Sequence, residues 1–122
     1  MATATADLGL PTWKLVFDAG TETHGATADF LFTTNVTAIN NMTLAYIMKD
    51  YFLSFATDLD PNTHSFSGVE KPYWPMYEGM GPNEAGSFSI MDVNYTMIGM
   101  TQDFDVNAQC DFFHGQSYVV RN

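Results

Sequence analysis

The residue best placed to do chemistry is His24, which lies in a loop rich in glycine and threonine. The loop covers residues 18–29, and Gly20 and Gly25 lie on either side of the histidine. An imidazole can take up a proton and return it near neutral pH, which is the work of a general base and acid. Glycines let the backbone turn sharply and present such a ring to a reacting group. These residues make His24 a candidate catalytic residue, although an arbitrary loop histidine followed by glycine more often has no catalytic part.

The groups that a catalytic histidine works with are not evident in the sequence. Nothing in the 122 residues matches Gly-x-Ser-x-Gly, the motif that exposes a nucleophilic serine on a strand–turn–helix. Carboxylates close to His24 in the chain can pair with it locally, but solvated loop charges are the simpler interpretation. These carboxylates are Asp18, Glu22 and Asp29. With His64 and His114, His24 lacks the short paired spacing of a zinc site, so we expect no metal and no cofactor.

The segments around the histidine predict an α/β architecture with few strands. Residues 12–17 alternate apolar and polar side chains, which is typical of a strand, and residues 88–101 predict one or two more around Asn94. Residues 43–57 carry apolar side chains at helical spacing. These strands are too few for a complete sheet.

The remaining segments are expected to be less regular. Residues 1–11 predict a loose N-terminal segment, and residues 63–86 an irregular arm rich in glycine and proline. Residues 103–114 predict a short terminal helix that carries Val106, Cys110 and Phe113. Asn40, Asn41 or Thr43 can cap the helix over residues 43–57, and Asp60-Pro61-Asn62 ends that region as a turn.

Composition indicates one globular unit of acidic character over residues 1–122, a length that suits one domain with a modest core. The chain is 46% hydrophobic and 15% charged, too apolar for a disordered tail and too interrupted for a membrane span. The net charge is −10, with four dispersed basic residues, so a nucleic-acid partner is not expected.

Three Asn-x-Thr sequons bear on the cellular location. They begin at Asn35, Asn41 and Asn94, which are the candidate glycosylation sites of a glycoprotein that passes through a secretory route. The first residues show no signal peptide, so the prediction of a secreted, extracellular protein applies to a full-length parent.

Five short motifs in a fixed order give the chain a family resemblance. His24-Gly25 followed by Phe30 and Phe32 resembles the His-Gly…Phe-x-Phe element of type-B carboxylesterases, the group that includes cholinesterases and fungal lipases. Tyr51-Phe52-Leu53-Ser54-Phe55-Ala56 is similar to that family's Tyr-Trp-x-x-Phe-Ala helix. The further matches are Asp60-Pro61-Asn62, Trp74-Pro75-x-Tyr77 and Cys110-Asp111-Phe112-Phe113. Each motif is weak alone, but together they span residues 12–114 and match the last fraction of a family member.

The resemblance implies that the chain is the C-terminal portion of an α/β-hydrolase, with the last strands and helices and an incomplete sheet. His24 would be the triad histidine of a serine carboxylic-ester hydrolase. The nucleophile, the acid and the oxyanion hole would lie in a missing N-terminal part, so the segment would be inactive alone. An ester substrate would bind only after completion by that part, and the exposed sheet edge could lead to self-association.

The chain departs from the family pattern at several positions. Thr27 stands where an acidic residue is common and Thr33 where glycine is common. Phe52 and Phe113 stand where tryptophan is common. In cholinesterases the cysteine corresponding to Cys110 forms a disulfide with an upstream cysteine that this chain lacks, so Cys110 is a free thiol or pairs outside the chain.

Two other hypotheses remain open at this point. One is a non-catalytic, cholinesterase-like binding or adhesion module, whose acidic and aromatic surface would use Trp74 or Tyr77 to contact a partner. The other is a small independent α+β domain whose motifs are accidental. For the binding module, replacing His24 would leave function unchanged, whereas changes at Trp74 or Tyr77 would abolish partner binding. High thermal stability and a monomeric, cooperative unfolding transition would favour the independent domain.

Overall fold

A three-stranded mixed sheet is the framework of the chain, and the computed structural model describes residues 2–20, 23–32, 41–77 and 88–114. The strands are β1 (Leu15–Phe17), β2 (Ser89–Val93) and β3 (Ile98–Gln102), in the spatial order β1-β2-β3. β1 runs parallel to β2, with Leu15 opposite Met91, and β3 runs antiparallel to β2, with Met100 opposite Met91. The predicted α/β architecture is confirmed.

Four helices are present among the described residues: α1 (Ala2–Asp7), α2 (Ala26–Phe32), α3 (Met42–Asp58) and α4 (Ala108–His114). None of these helices is long and apolar enough to cross a membrane.

The central helix α3 begins and ends where local signals place it. The Asn41 side chain accepts a hydrogen bond from Leu44 N at 3.0 Å and so caps the first turn. Leu59 closes the last turn in the left-handed region, with φ 58°, and its N–H donates to Phe55 O at 2.9 Å. Pro61 follows and cannot continue a helix. The helix predicted over residues 43–57 is confirmed, with Asn41 as its cap.

The hydrophobic core lies between α3 and one face of the sheet. Apolar side chains at helical spacing on α3 meet alternate residues of β2, where Met91 and Val93 are fully buried. Other buried members of this cluster are Ala19, Phe30, Leu44, Ala45, Ile47, Met48, Tyr51 and Trp74. Burial of each large apolar side chain stabilises the fold by about 1.5–3 kcal/mol. Packing on this face of the sheet therefore fixes the position of α3. Because Phe30 of α2 belongs to the same cluster, this packing also holds the end of the loop that precedes α2.

On the opposite face of the sheet, Lys14, which precedes β1, pairs with Asp103, which follows β3. These two residues, with Asp105 and Tyr77, are called the polar clamp below. Lys14 Nζ contacts both carboxylate oxygens of Asp103 at 2.7 Å and Asp105 Oδ2 at 2.8 Å. Tyr77 Oη donates to Asp103 Oδ2 at 2.8 Å. Burial alone would raise the pKa of Asp103, but hydrogen bonds from Lys14, the Asp105 backbone and Tyr77 outweigh it and lower that pKa. Asp103 is therefore a charged, nearly buried structural residue.

The segment after α3 is irregular and is held by polar side chains. Buried Asp50 accepts hydrogen bonds from Ser65 Oγ at 2.9 Å and Ser67 Oγ at 2.5 Å. Asn62 Oδ1 accepts from Trp74 N at 2.7 Å, which joins the two ends of the segment. The predicted irregular arm is confirmed over residues 63–77, and residues 78–87 lie outside the described part.

Some element boundaries differ from the sequence-based expectation. Residues 2–7 form α1 where a loose segment was expected, since their alanines favour a helix. Residues 26–29 belong to α2 although the glycine and threonine content predicts a loop, because Phe30 is buried against the core and holds the turn in place. Val106 precedes α4 and is exposed. The paired strands β2 and β3 agree with the prediction for residues 88–101.

Candidate active site

His24 lies in a tight turn between β1 and α2, exposed to solvent. The turn closes with Ala26 N donating to Thr23 O at 3.0 Å and Ala28 N donating to Gly25 O at 2.9 Å. Gly25 has φ 84°, a left-handed conformation that glycine adopts without strain. This geometry presents the imidazole at the carboxyl end of a strand that runs parallel to its neighbour, the edge where ligands bind in open α/β sheets.

The strand side of the loop is anchored by β1 and the residues that follow it. Asp18 N donates to Val93 O at 2.8 Å, and Ala19 is buried. Gly20 has φ 82°, and a Cβ added there would lie 2.9 Å from Tyr95 Oη. Only glycine fits this position without a local shift.

The helix side of the loop is anchored by Phe30. Its ring packs edge-on against Phe17 of β1, with centroids 5.2 Å apart, and tilted against Tyr95 at 6.1 Å. Tyr95 O also accepts a hydrogen bond from Asn41 Nδ2 at 3.0 Å, which links the β2–β3 turn to the start of α3. Tyr95 thus contacts Gly20, Phe30 and Asn41. We infer that it is the residue that positions the His24 loop against the sheet.

Two carboxylates close to His24 in the sequence, Asp18 and Asp29, do not pair with it. Among the described residues no ion pair or hydrogen bond joins its side chain to Asp18 or Asp29, and Glu22 lies outside the described part. Burial raises the pKa of the Asp92 carboxyl on β2, and the charge of Asp18 raises it further, while a hydrogen bond from Asn94 lowers it. The described residues therefore provide no orienting acid for His24.

An apolar groove of about 490 Å³ opens beside β1. Trp13 and Leu15 form its sheet side, and Phe52 and Phe55 of α3 form the other wall, each about half exposed. The remaining lining residues are Thr5, Leu10, Pro11, Thr12, Tyr51, Pro61 and Trp74. Phe52 and Phe55 lie toward the C-terminal end of α3, where the sheet ends at β1. The ring of Phe55 packs edge-on against Trp13, with centroids 5.7 Å apart, so the groove lies between α3 and the residues at the start of β1.

Trp74 and Tyr77, which the binding-module hypothesis would use to contact a partner, are buried side chains. Trp74 is 6% exposed and packs edge-on against Tyr51, with centroids 5.1 Å apart, and Tyr77 is 3% exposed. Neither side chain is available to contact a partner protein. The binding-module hypothesis therefore loses the residues on which it depended.

Among the described residues, His64 and Cys110 belong to no cluster that could bind a metal ion. His64 Nε2 contacts Asp58 Oδ2 at 3.0 Å on the surface. Cys110 is a free thiol, half-buried in α4. Within the described part of the chain, no group of three or more His, Cys, Asp or Glu side chains could hold a metal ion.

Of the three candidate glycosylation sites, two have a described geometry. Asn41 caps α3 and also donates to Tyr95 O. Asn94 Oδ1 accepts from Thr96 N, Thr96 Oγ1 and Met97 N, which shapes the turn between β2 and β3. Asn35 lies outside the described residues. Glycosylation remains a prediction for all three.

Sequence reasoning named Gly20 but missed Tyr95, which contacts it, and the pairing of Lys14 with Asp103. Gly20 and Tyr95 are far apart in the chain, and so are Lys14 and Asp103. A signal existed only for Gly20, since glycine after a strand indicates a tight turn or a close approach.

The chain is similar to parts of known proteins. No protein-family model matches the chain. Secreted lipase 4 of Gibberella zeae is 33% identical over 76 residues, which cover 58% of this chain and 13% of the lipase. A carboxylesterase of Geobacillus stearothermophilus has a similar fold, with a TM-score of 0.61 and 21% identity, over 85% of this chain and 22% of the esterase. The chain thus spans a small part of each relative.

Proposed function

We propose that the chain is the C-terminal segment of a serine carboxylic-ester hydrolase of the carboxylesterase or lipase type, to which it supplies His24 as the triad histidine. His24 accepts the proton of the serine hydroxyl as that oxygen attacks the ester carbonyl. It then donates the proton to the leaving alcohol. The serine, the orienting acid and the oxyanion hole come from residues outside these 122. The name of the secreted lipase relative supports an extracellular parent.

The observation that carries this proposal is the exposed His24 beside an uncovered side of the sheet. The ring is carried by a hydrogen-bonded turn that follows β1, and Phe30 packs the far side of this turn against Phe17. Phe52 and Phe55, each about half exposed, form one wall of an open apolar groove beside β1, where Phe55 also contacts Trp13. A domain that worked by itself would cover such a wall. A hydrolase segment leaves it open for neighbouring elements.

The proposal predicts that the isolated chain does not hydrolyse esters. In a serine hydrolase, loss of the nucleophile lowers kcat by on the order of 10⁶, and by this proposal the oxyanion donors also lie outside these residues. A nitrophenyl ester incubated with the purified chain should therefore react at the rate seen without protein. Hydrolysis that disappears on His24→Ala would contradict this.

The role of His24 is tested in a chimaera. Residues of this chain replace the matching segment of the secreted lipase, which contributes the rest of the enzyme. His24→Ala should lower kcat by on the order of 10³ or more, with KM little changed. His64→Ala is the matched control, since its imidazole is also exposed and it too lies after a helix or strand end. A chimaera that is equally active with either substitution would refute the proposed role.

A further inference from the structure

We propose that Asn94 carries an N-linked oligosaccharide, and that Asn41, whose sequon lies in the same groove, stays unmodified. The inference concerns the two sequons that the structure describes. It rests on the secretory route that the proposed function assigns to the parent. The sequence alone does not rank the two sites, because both read Asn-x-Thr.

The two sequons contact each other in the folded chain. Asn41 Nδ2 donates to the backbone oxygen of Tyr95, the middle residue of the second sequon, at 3.0 Å. Both asparagines line one groove of about 240 Å³, and so do Thr43 and Thr96. An N-linked oligosaccharide is bulky and lies on the protein surface. A glycan on either asparagine would therefore cover the other, so we expect one glycan at this groove and not two.

The side-chain amide of Asn41 has both of its ends in use as a structural link. Its Oδ1 accepts from Leu44 N at 3.0 Å and caps α3, while its Nδ2 donates across to the Tyr95 carbonyl. Tyr95 in turn contacts Gly20 in the loop that carries His24. A sugar on Asn41 Nδ2 would be attached to the atom that joins α3 to the turn after β2. Modification at this position therefore opposes the packing of these elements.

The Asn94 sequon forms a surface turn of its own. Asn94 Oδ1 accepts from Thr96 N and Thr96 Oγ1, both at 3.0 Å, and from Met97 N at 2.8 Å. These contacts fall within four residues, so the turn does not depend on the assembled sheet. Tyr95 and Met97 are 42% and 62% exposed, and Thr96 is exposed as well. The sequon thus has the exposed loop position that an N-glycan needs.

The Asn41 sequon has a different local geometry. Met42 and Thr43 lie in the first turn of α3, and no hydrogen bond joins the Thr43 hydroxyl to Asn41. The amide oxygen of Asn41 accepts from the helix backbone instead. Among the described residues, the Asn94 sequon is therefore the one whose hydroxyl and amide form a single local unit.

The transfer to Asn94 is a substitution at the first carbon of the sugar. Nδ2 forms a bond to that carbon, the bond from the carbon to the pyrophosphate oxygen of a lipid-linked oligosaccharide breaks, and the lipid pyrophosphate leaves. Nδ2 releases one of its two protons in this step. The second N–H is retained, so the hydrogen bond that Asn94 donates to Asp92 can persist. The lipid-linked donor is supplied by the secretory route.

The test is glycan mapping of the 122-residue chain, expressed in yeast behind a cleavable secretion leader. Asn35→Gln is present in every variant, so that the third sequon adds nothing. Intact mass before and after enzymatic deglycosylation counts the glycans. Peptide mapping locates them, because the amidase converts each modified asparagine to aspartate. Secreted and cell-retained protein are both analysed, and the chain should carry one glycan, on Asn94.

Thr96→Ala and Thr43→Ala form a matched pair, since each removes one exposed sequon threonine and leaves its asparagine in place. Thr96→Ala should abolish the glycan, whereas Thr96→Ser, which keeps a hydroxyl, should retain it. Thr43→Ala should leave the glycan on Asn94 unchanged. A chain without a glycan, a glycan on Asn41 in any variant, or a glycan that Thr43→Ala removes would each overturn the proposal.

The outcome is separable from the proposed catalytic role of His24. His24→Ala should carry the same glycan, because the readout involves no ester chemistry. Absence of a glycan would leave the role of His24 to be decided in the chimaera. An inactive chimaera would likewise leave the measured occupancy of Asn94 unchanged.

Discussion

At the scale of single residues, the site depends on two contacts that hold one loop. Gly20 allows the backbone to turn under the Tyr95 hydroxyl, and Phe30 fixes the far side of the loop against Phe17. His24 itself makes no hydrogen bond among the described residues, so its direction is set by the backbone that carries it. A substitution at Gly20 should therefore change the position of His24 through the backbone, without a direct contact with the imidazole ring.

Gly20→Ala should lower the free energy of unfolding by about 1–3 kcal/mol, because φ 82° is strained for alanine and its Cβ would meet Tyr95 Oη. Urea denaturation measures the loss. Gly68→Ala is the control for backbone strain alone, since φ is 73° there and nothing lies within 4 Å of the added Cβ. If the two variants lose the same amount, the close approach of Tyr95 contributes nothing.

At the scale of elements, the sheet is held by a core on one face and a polar clamp on the other. The clamp joins residues that precede β1 and follow β3, so it fixes the strands at both ends of the sheet order. Its central carboxylate, Asp103, is almost fully buried, with 2% of its side chain exposed. The partner Asp105 is 55% exposed, so solvent screens its share of the interaction.

The clamp predicts a definite pH dependence of stability. The pKa of Asp103 is lowered in the folded state, so its contribution is complete above the pKa of the unfolded carboxyl, about 4. It is then lost as the pH falls through the folded pKa. Asp103→Asn should cost about 2 kcal/mol at pH 7, and the difference from wild type should shrink below about pH 4.

Urea midpoints measured between neutral and acidic pH test this effect. Asp105→Asn serves as the control, because an exposed carboxylate paired with the same lysine contributes about 0–1 kcal/mol. If the difference in unfolding free energy between Asp103→Asn and wild type stays constant as the pH falls, the Asp103 carboxylate is not the titrating group.

At the scale of the whole molecule, the chain combines an excess of acidic residues with an uncharged groove. It has 14 acidic and four basic residues, and none of the residues that line the groove beside β1 is acidic or basic. Repulsion between copies of such a chain weakens as salt is added, because the screening length shortens from about 30 Å at about 0.01 M to about 8 Å at about 0.15 M ionic strength.

Local patterns in the sequence determined most of the elements. The apolar spacing of residues 43–57 and the capping side chain at Asn41 specify α3, since each acts within one or two helical turns. The alternation around Asn94 likewise predicts the two paired strands. The glycine-bracketed loop that carries His24 and the order of the motifs pointed to an α/β-hydrolase segment, and the fold agrees.

Only the tertiary structure decided how these pieces meet. Lys14 joins Asp103 across 89 positions of the chain, and Tyr95, in the turn after β2, reaches Gly20, which follows β1. The burial of Trp74 and Tyr77, and the half-exposed groove wall at Phe52 and Phe55, also depend on which elements become neighbours. The spacing of apolar residues in the sequence shows which face of a helix or strand is apolar. The surface that covers this face is decided by contacts between residues far apart in the chain.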